Sequence, residues 1–215
     1  MKHRTILLAL VGATLLMLPS QAAAGEWKLH PTQTFLTNMV GTSLSTEAGT
    51  VVTCFASSGS GKTTSESTGE ITFTFNSCKD VFGTACTTPG LSSGSITSKG
   101  EFTFIYLANK ARGIWLKGIG ESKQIAEFKC LGGATTVVVS GDLIGEVTSP
   151  TCNGSGTSLS FSFAAAEPGI QKQMQITGTG TKYDATATIN GTPSTAAVAF
   201  GGSLVFGSTV TMTCP

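Results

Sequence analysis

The residues best placed to do chemistry fall into a few groups. Ala56-Ser57-Ser58-Gly59-Ser60-Gly61-Lys62-Thr63 follows the apolar run Val51 to Phe55 and matches a phosphate-binding loop with alanine at the first glycine position. Such a loop works by opening into a helix whose N-terminal amides and dipole meet the phosphates. Here Thr64 to Gly69 leads straight into a strand pattern, so the segment is expected to be a polar hairpin loop. A serine or cysteine nucleophile needs a base to take its proton, and beyond His3 the chain has only His30. Glu121, Glu127, Asp142 and Glu146 could supply the carboxylate pair of a glycoside hydrolase. Each lies among strand or turn residues, where a solvated carboxylate is the expectation.

A second group points to binding. Strand alternation puts Trp115 opposite Ile114 and Leu116, on the side of Gly113 and Lys117. A sheet-face tryptophan beside a lysine can stack on a sugar ring, which makes Trp115 and Lys117 the candidate ligand-binding residues. The competing expectation is a strand covered on both faces. Thr-x-Thr steps recur at Thr72/Thr74, Thr177/Thr179/Thr181, Thr186/Thr188 and Thr209/Thr211/Thr213, as on water-ordering, ice-binding surfaces. They keep no fixed period, and threonine is a favoured strand residue in any case. Asn153-Gly154-Ser155 and Asn190-Gly191-Thr192 match glycosylation acceptors and are turn sequences in their own right.

The elements that hold these residues begin after a leader. Lys2, His3 and Arg4 precede the apolar run Ile6 to Leu18, and Ala22 to Ala24 supplies small residues for cleavage. Residues 1–24 therefore read as a signal peptide, with Gly25 as the mature N-terminus and a secreted, extracellular or cell-envelope location. No later run reaches the ~20 apolar residues of a membrane helix, so no membrane insertion is expected. Without Lys2 and Arg4, 11 basic side chains face 12 acidic ones, with no run of like charge. That balance argues against nucleic acid or anionic lipid as a partner. A hydrophobic content of 40% in alternating runs argues against disorder.

Cys54, Cys78, Cys86, Cys130, Cys152 and Cys214 form an even set in an exported chain, with no C-x-x-C pair and a single mature histidine. They read as disulfides rather than a zinc site, and no metal or other cofactor is implied. Parity places Cys54, Cys130 and Cys214 on inward strand faces and Cys78, Cys86 and Cys152 in turns. The pairing expected from this is Cys54 with Cys130, Cys78 with Cys86, and Cys152 with Cys214.

Period-two alternation recurs in Ile71 to Phe75, Phe102 to Tyr106, Leu159 to Phe163, Ala185 to Ile189 and Val210 to Cys214. Thr135 to Val139 is apolar on both faces and reads as a central strand. Gly59-Ser60-Gly61, Pro89-Gly90, Gly132-Gly133, Asn153-Gly154, Pro168-Gly169 and Asn190-Gly191 read as turns. Helix is expected only as a short turn over Ala164 to Glu167. The fold class is all-β, an antiparallel sandwich or barrel stabilised by disulfides, in one domain over 25–215. The composition shift near Pro150 is the one candidate subdivision.

Read together, Gly69-Glu70-Ile71-Thr72-Phe73-Thr74-Phe75-Asn76-Ser77-Cys78, Cys86-Thr87-Thr88-Pro89-Gly90, Gly94-Ser95-Ile96-Thr97, Ala126-Glu127-Phe128-Lys129-Cys130 and Val139 to Gly145 resemble a set of secreted proteins from actinobacterial genomes. The resemblance covers about residues 42–148. It implies an exported β-rich protein and a bacterial host, and it carries no functional residues. The function expected is a non-catalytic binding or structural domain whose partner is a cell-envelope component or a glycan. A carbohydrate-binding module is the first alternative, and a carboxylate-dependent hydrolase comes behind it.

Overall fold

The computed structural model describes residues 26–178 and 181–214, and the expected signal peptide lies outside them. The chain forms β1 (Lys28–His30), β2 (Thr34–Thr46), β3 (Gly49–Thr63), β4 (Thr68–Asn76), β5 (Lys79–Asp80), β6 (Ile96–Tyr106), β7 (Arg112–Lys117), β8 (Gln124–Cys130), β9 (Thr135–Ser149), β10 (Ser155–Phe163), β11 (Ala165–Glu167), β12 (Ile170–Gln171), β13 (Ala185–Ile189) and β14 (Thr192–Thr213). Twelve strands form one sheet: nine run in the order β1-β14-β10-β9-β7-β6-β4-β3-β2, β14 pairs again with β2, and β5, β8 and β13 pair alongside this path with β3, with β6 and β9, and with β9 and β14. The sheet therefore closes on itself as an antiparallel barrel. Long strands change neighbours along their length. β9 pairs with β8 and β13 at its start and with β7 and β10 further on. Strands on both sides of Pro150 share this one sheet.

Alternation sets which side chains fill the interior. On β2, Phe35, Thr37 and Met39 are buried, and beyond Gly41 the buried residues become Thr42, Leu44 and Thr46. Gly41 has φ +62°, a left-handed value that suits glycine, and the β2–β14 register shifts beside it, as at a bulge. The facing strand shows the same switch. Val52 and Cys54 point in, Phe55 and Ala56 both point out, and Ser57 and Thr63 point in again. Below the switch the core is aromatic. Phe200 packs on Phe73, Phe161 and Phe163, and Trp27 stacks on Phe104 with centroids 3.9 Å apart. The Trp27 indole N–H donates to the Gly113 carbonyl, which satisfies its one polar atom.

Several sequence expectations change here. Ala56 to Thr63 is the second half of β3, hydrogen-bonded to β2 and β4, and the hairpin connection is Thr64–Ser67. Gly59 and Gly61 are strand glycines. A Cβ on Gly61 would run into the Phe35 ring and the Glu70 carbonyl, so the glycine exists to admit the aromatic. Gly69 admits Phe102 in the same way. Ala164 to Glu167 is not helical. Ala165–Glu167 is β11, paired with β12 across the Pro168-Gly169 turn. In Thr135 to Val139 only Val137 and Val139 are buried, and the doubly covered part of β9 is Asp142 to Gly145.

The disulfides are Cys54–Cys78, Cys86–Cys130 and Cys152–Cys214. The third matches the expected pairing and the first two replace it. Cys78 and Cys86 lie outside regular strands, yet both are fully buried. The segment between β4 and β6 folds inward against the barrel end. Lys79 pairs with Thr53, which brings Cys78 beside Cys54, and Thr87 pairs with Lys129, which brings Cys86 beside Cys130. Each inward strand thiol thus takes one thiol of the loop.

Candidate functional site

The barrel end that carries Cys54–Cys78 and Cys86–Cys130 is ringed by chain connections: Glu47–Ala48, Val81–Thr84, a 3-10 turn at Leu131–Gly133, and Asn190–Gly191. Between them opens a recess of about 250 Å³, lined by Thr46, Val51, Cys130, Val137 and Ile189. Its rim is apolar. Val81, Phe82 and Leu131 are 63%, 79% and 41% exposed.

These rim residues are fixed by their backbones. The Asp80 carboxylate accepts from the Phe82 and Thr84 amides at 2.9 Å each, and the Gly83 amide donates to the Asp80 carbonyl. Leu131 follows Cys130 directly and sits at φ +52°, a left-handed conformation costly for a side chain with a Cβ. Disulfide, side-chain cap and backbone geometry together hold apolar groups in water. A loop governed only by its own burial would turn them inward.

One layer deeper, the inner faces of the same strands line a cavity of about 60 Å³. On β2 the inward series runs Thr46, Leu44, Thr42, on β8 Cys130, Phe128, Ala126, and on β9 Val137, Val139. Two residues of strand advance about 7 Å, so recess and cavity are successive storeys of one barrel axis. Apart from Thr42 and Ser98 the lining is apolar. The Thr42 hydroxyl is buried and has no hydrogen-bond partner among the described residues.

Trp115 and Lys117 stand on the outer face of β7. The indole N–H of Trp115 donates to Asp142 Oδ1 at 3.0 Å, and Lys123 Nζ meets Asp142 Oδ2 at 3.0 Å. Lys117 Nζ lies 4.6 Å from the indole centroid, and the Tyr183 ring centroid lies 4.8 Å away. A small apolar cluster of Ile105, Leu107, Ile144 and Ile176 packs beside them. The segment after β12 covers this patch through bridges Ile144–Gln173 and Leu107–Ile176. A sugar stacking on Trp115 would have to displace Tyr183 or Lys117.

The remaining candidates lie apart. Asp142 and Glu146 are four residues apart on one face of β9, about 13 Å along an extended strand, whereas paired glycosidase carboxylates stand about 5 to 9.5 Å apart. Glu121 and Glu127 are exposed, and His30 is exposed beside Glu66 at 3.3 Å. No helix follows the Ala56–Thr63 strand to receive a phosphate. Among the described residues no group of His, Cys, Asp or Glu could hold a metal ion, and no helix is long and apolar enough to cross a membrane.

Of the residues now prominent, sequence reading missed Val81, Phe82, Leu131, Thr42 and Tyr183. The available signal was Asp80-Val81-Phe82-Gly83, an apolar pair inside turn chemistry and between two cysteines. No protein-family model, no curated protein and no solved structure matches the chain.

Proposed function

We propose that this chain is an exported, non-catalytic binding domain that works outside the cytoplasm or at the cell envelope, with the disulfide end of the barrel as its contact surface. One observation carries the reading: Val81, Phe82 and Leu131 are held exposed around the apolar recess. Single exposed apolar residues are ordinary, but a rigid group of them around a concavity is the composition of a binding site. Their fixed backbones also reduce the ordering cost of association. The disulfides support export, because such bonds persist in oxidising compartments.

Co-sedimentation with isolated bacterial envelopes tests this. The wild-type protein is expected to pellet with envelopes, and Val81→Ser/Phe82→Ser to remain in the supernatant. A wild-type protein wholly free of the envelope fraction would overturn the proposal.

Trp115, half-buried on the outer face of β7, carries a second reading: a glycan that stacks on its ring by displacing Lys117 or Tyr183. Titrating polysaccharides against tryptophan fluorescence addresses it directly, because the other mature tryptophan, Trp27, is fully buried and reports little. A glycan that shifts the emission supports it, and silence across glycans removes it.

A further inference from the structure

We infer that Asn190-Gly191, the hairpin turn on the rim of the recess, is a self-modifying site: the folded chain converts this asparagine to aspartate or isoaspartate and thereby weakens its own contact surface. The chemistry needs no partner. Only its consequence for binding rests on the binding-domain reading.

The reaction is intramolecular. The Gly191 amide nitrogen gives its proton to hydroxide and attacks Cγ of Asn190. The bond from Gly191 N to Cγ forms, the bond from Cγ to Nδ2 breaks, and the departing nitrogen takes a proton from water and leaves as ammonia. Water then opens the five-membered imide at either carbonyl, which leaves a carboxylate on a normal or a lengthened backbone. One water is consumed for each ammonia released, and nothing is oxidised or reduced.

Five asparagines stand in the chain, and only Asn153 and Asn190 precede glycine. Met39, Ser77 and Lys110 follow the other three, and a side chain there crowds the attacking nitrogen. At Asn190 the fold favours attack. Asn190 and Gly191 have φ +48° and +85°, left-handed at both positions of a two-residue turn, and the pairing of Ile189 with Thr192 closes the hairpin. Both residues are exposed, and nothing lies within 4 Å of where a Gly191 Cβ would stand, so water reaches the site. The Thr136 amide donates to Asn190 Oδ1 at 2.8 Å, and the Asn190 amide donates to the Thr136 carbonyl at 2.9 Å. The first bond holds an N–H against the oxygen on which negative charge gathers as Cγ is attacked, the arrangement of an oxyanion hole. The second fixes the backbone from which that side chain extends.

Asn153-Gly154 lacks these features. The Gly154 amide donates to the Thr151 carbonyl at 2.9 Å, which ties up the nucleophile inside its own turn. The donor to Asn153 Oδ1 is the Cys214 amide at 3.4 Å, a longer and weaker bond. The two sites therefore differ in structure while sharing a dipeptide. Ile189, next to Asn190, lines the recess. Conversion puts a charge beside that apolar wall, and isoaspartate adds a methylene to a turn whose length sets the pairing of β13 with β14.

The test is peptide mapping of the full mature chain, folded and in urea, after incubation in mildly alkaline buffer. In the folded protein Asn190 should convert roughly tenfold faster than Asn153, a tenth or less of what one oxyanion-hole donor gives in a closed active site. In urea the two sites should convert at similar rates. Asn153 keeping pace with Asn190 in the folded protein overturns the proposal, as does an Asn190 that converts in urea and not when folded. Envelope co-sedimentation reads the consequence. Aged wild type should bind several-fold less than fresh, whereas Asn190→Gln, whose ring closure would need six members, should bind alike before and after incubation. Equal loss in both proteins, or no loss in either, overturns the link between this turn and binding. Fresh wild type that never binds envelopes removes the binding-domain reading, and the peptide map still decides the chemistry.

Discussion

Trp115 and Asp142 join neighbouring strands by a hydrogen bond of 3.0 Å between the indole N–H and the carboxylate. Asp142 is only 6% exposed, so the N–H of Trp115 and the ammonium of Lys123 are what make the burial of its carboxylate tolerable.

Truncating this pair unequally should therefore show which partner depends on the other. Trp115→Phe keeps the ring beside Tyr183 and leaves one buried oxygen without its donor, at an expected cost of about 1 to 3 kcal/mol. Lys123→Ala should cost less, because the Lys123 side chain is 55% exposed and water can replace it. Urea denaturation of both variants and their double mutant gives the coupling directly.

The strand glycines make a sharper prediction. Gly61→Ala and Gly69→Ala drive a methyl into Phe35 and Phe102, and each should cost about 1 to 3 kcal/mol through overpacking. Gly207→Ala meets nothing within 4 Å and should stay within about 0.5 kcal/mol of the wild type. Equal melting temperatures for all of them would contradict the packing described.

Removing Cys86–Cys130 as a serine pair frees a loop with ends 44 residues apart. The chain-entropy model puts the loss near 4 kcal/mol. Non-reducing peptide mapping should recover Cys54 with Cys78, Cys86 with Cys130 and Cys152 with Cys214, and a Cys78–Cys86 peptide would refute the arrangement.

Leu131 offers a trade between stability and binding. Leu131→Gly relieves a left-handed leucine and should stabilise the fold by about 1 kcal/mol while removing an apolar rim group. Thermal melts and envelope co-sedimentation should move in opposite directions.

Burial pushes the Tyr106 phenol above the ordinary tyrosine range, and the nearby Arg112 guanidinium only partly offsets it. The folded state therefore holds its proton to higher pH than the unfolded chain. This contribution is complete below the ordinary tyrosine range near pH 10 and is lost as pH rises through the folded value. Stability of Tyr106→Phe should fall less steeply above pH 10, and absorbance titration of Tyr183→Phe should show Tyr106 ionising late.

How much of this was legible follows from which contacts are local. Ile71 to Phe75 announced its strand because alternation needs no partner to be seen. Trp115 and Lys117 shared a face for the same reason. Gly59 and Gly61 resembled a turn because the reason for them, the ring of Phe35, lies elsewhere in the chain. The inversion at Phe55 and Ala56 stands opposite Gly41 on the adjacent strand, a pairing that spacing along the chain does not reveal. The thiol pairing depended on the 77–95 segment folding inward, which no spacing encodes. Thr42 pointed nowhere in particular until the Gly41 bulge fixed its parity. The recess exists only where separate turns meet.

Closure of β14 onto β2 also bears on how the barrel is reached. Ser45 and Ala197 meet across that seam from positions 152 residues apart. Contacts of such separation must be found before they return any stability, so folding should be slow, and every intermediate before closure carries two bare strand edges. Cys152–Cys214, which ties the turn after β9 to the end of β14, holds the last stave near its place while that search is under way. Oxidation before closure should then raise refolding yield more than it raises final stability, because it shortens the time in which open edges can find those of another chain.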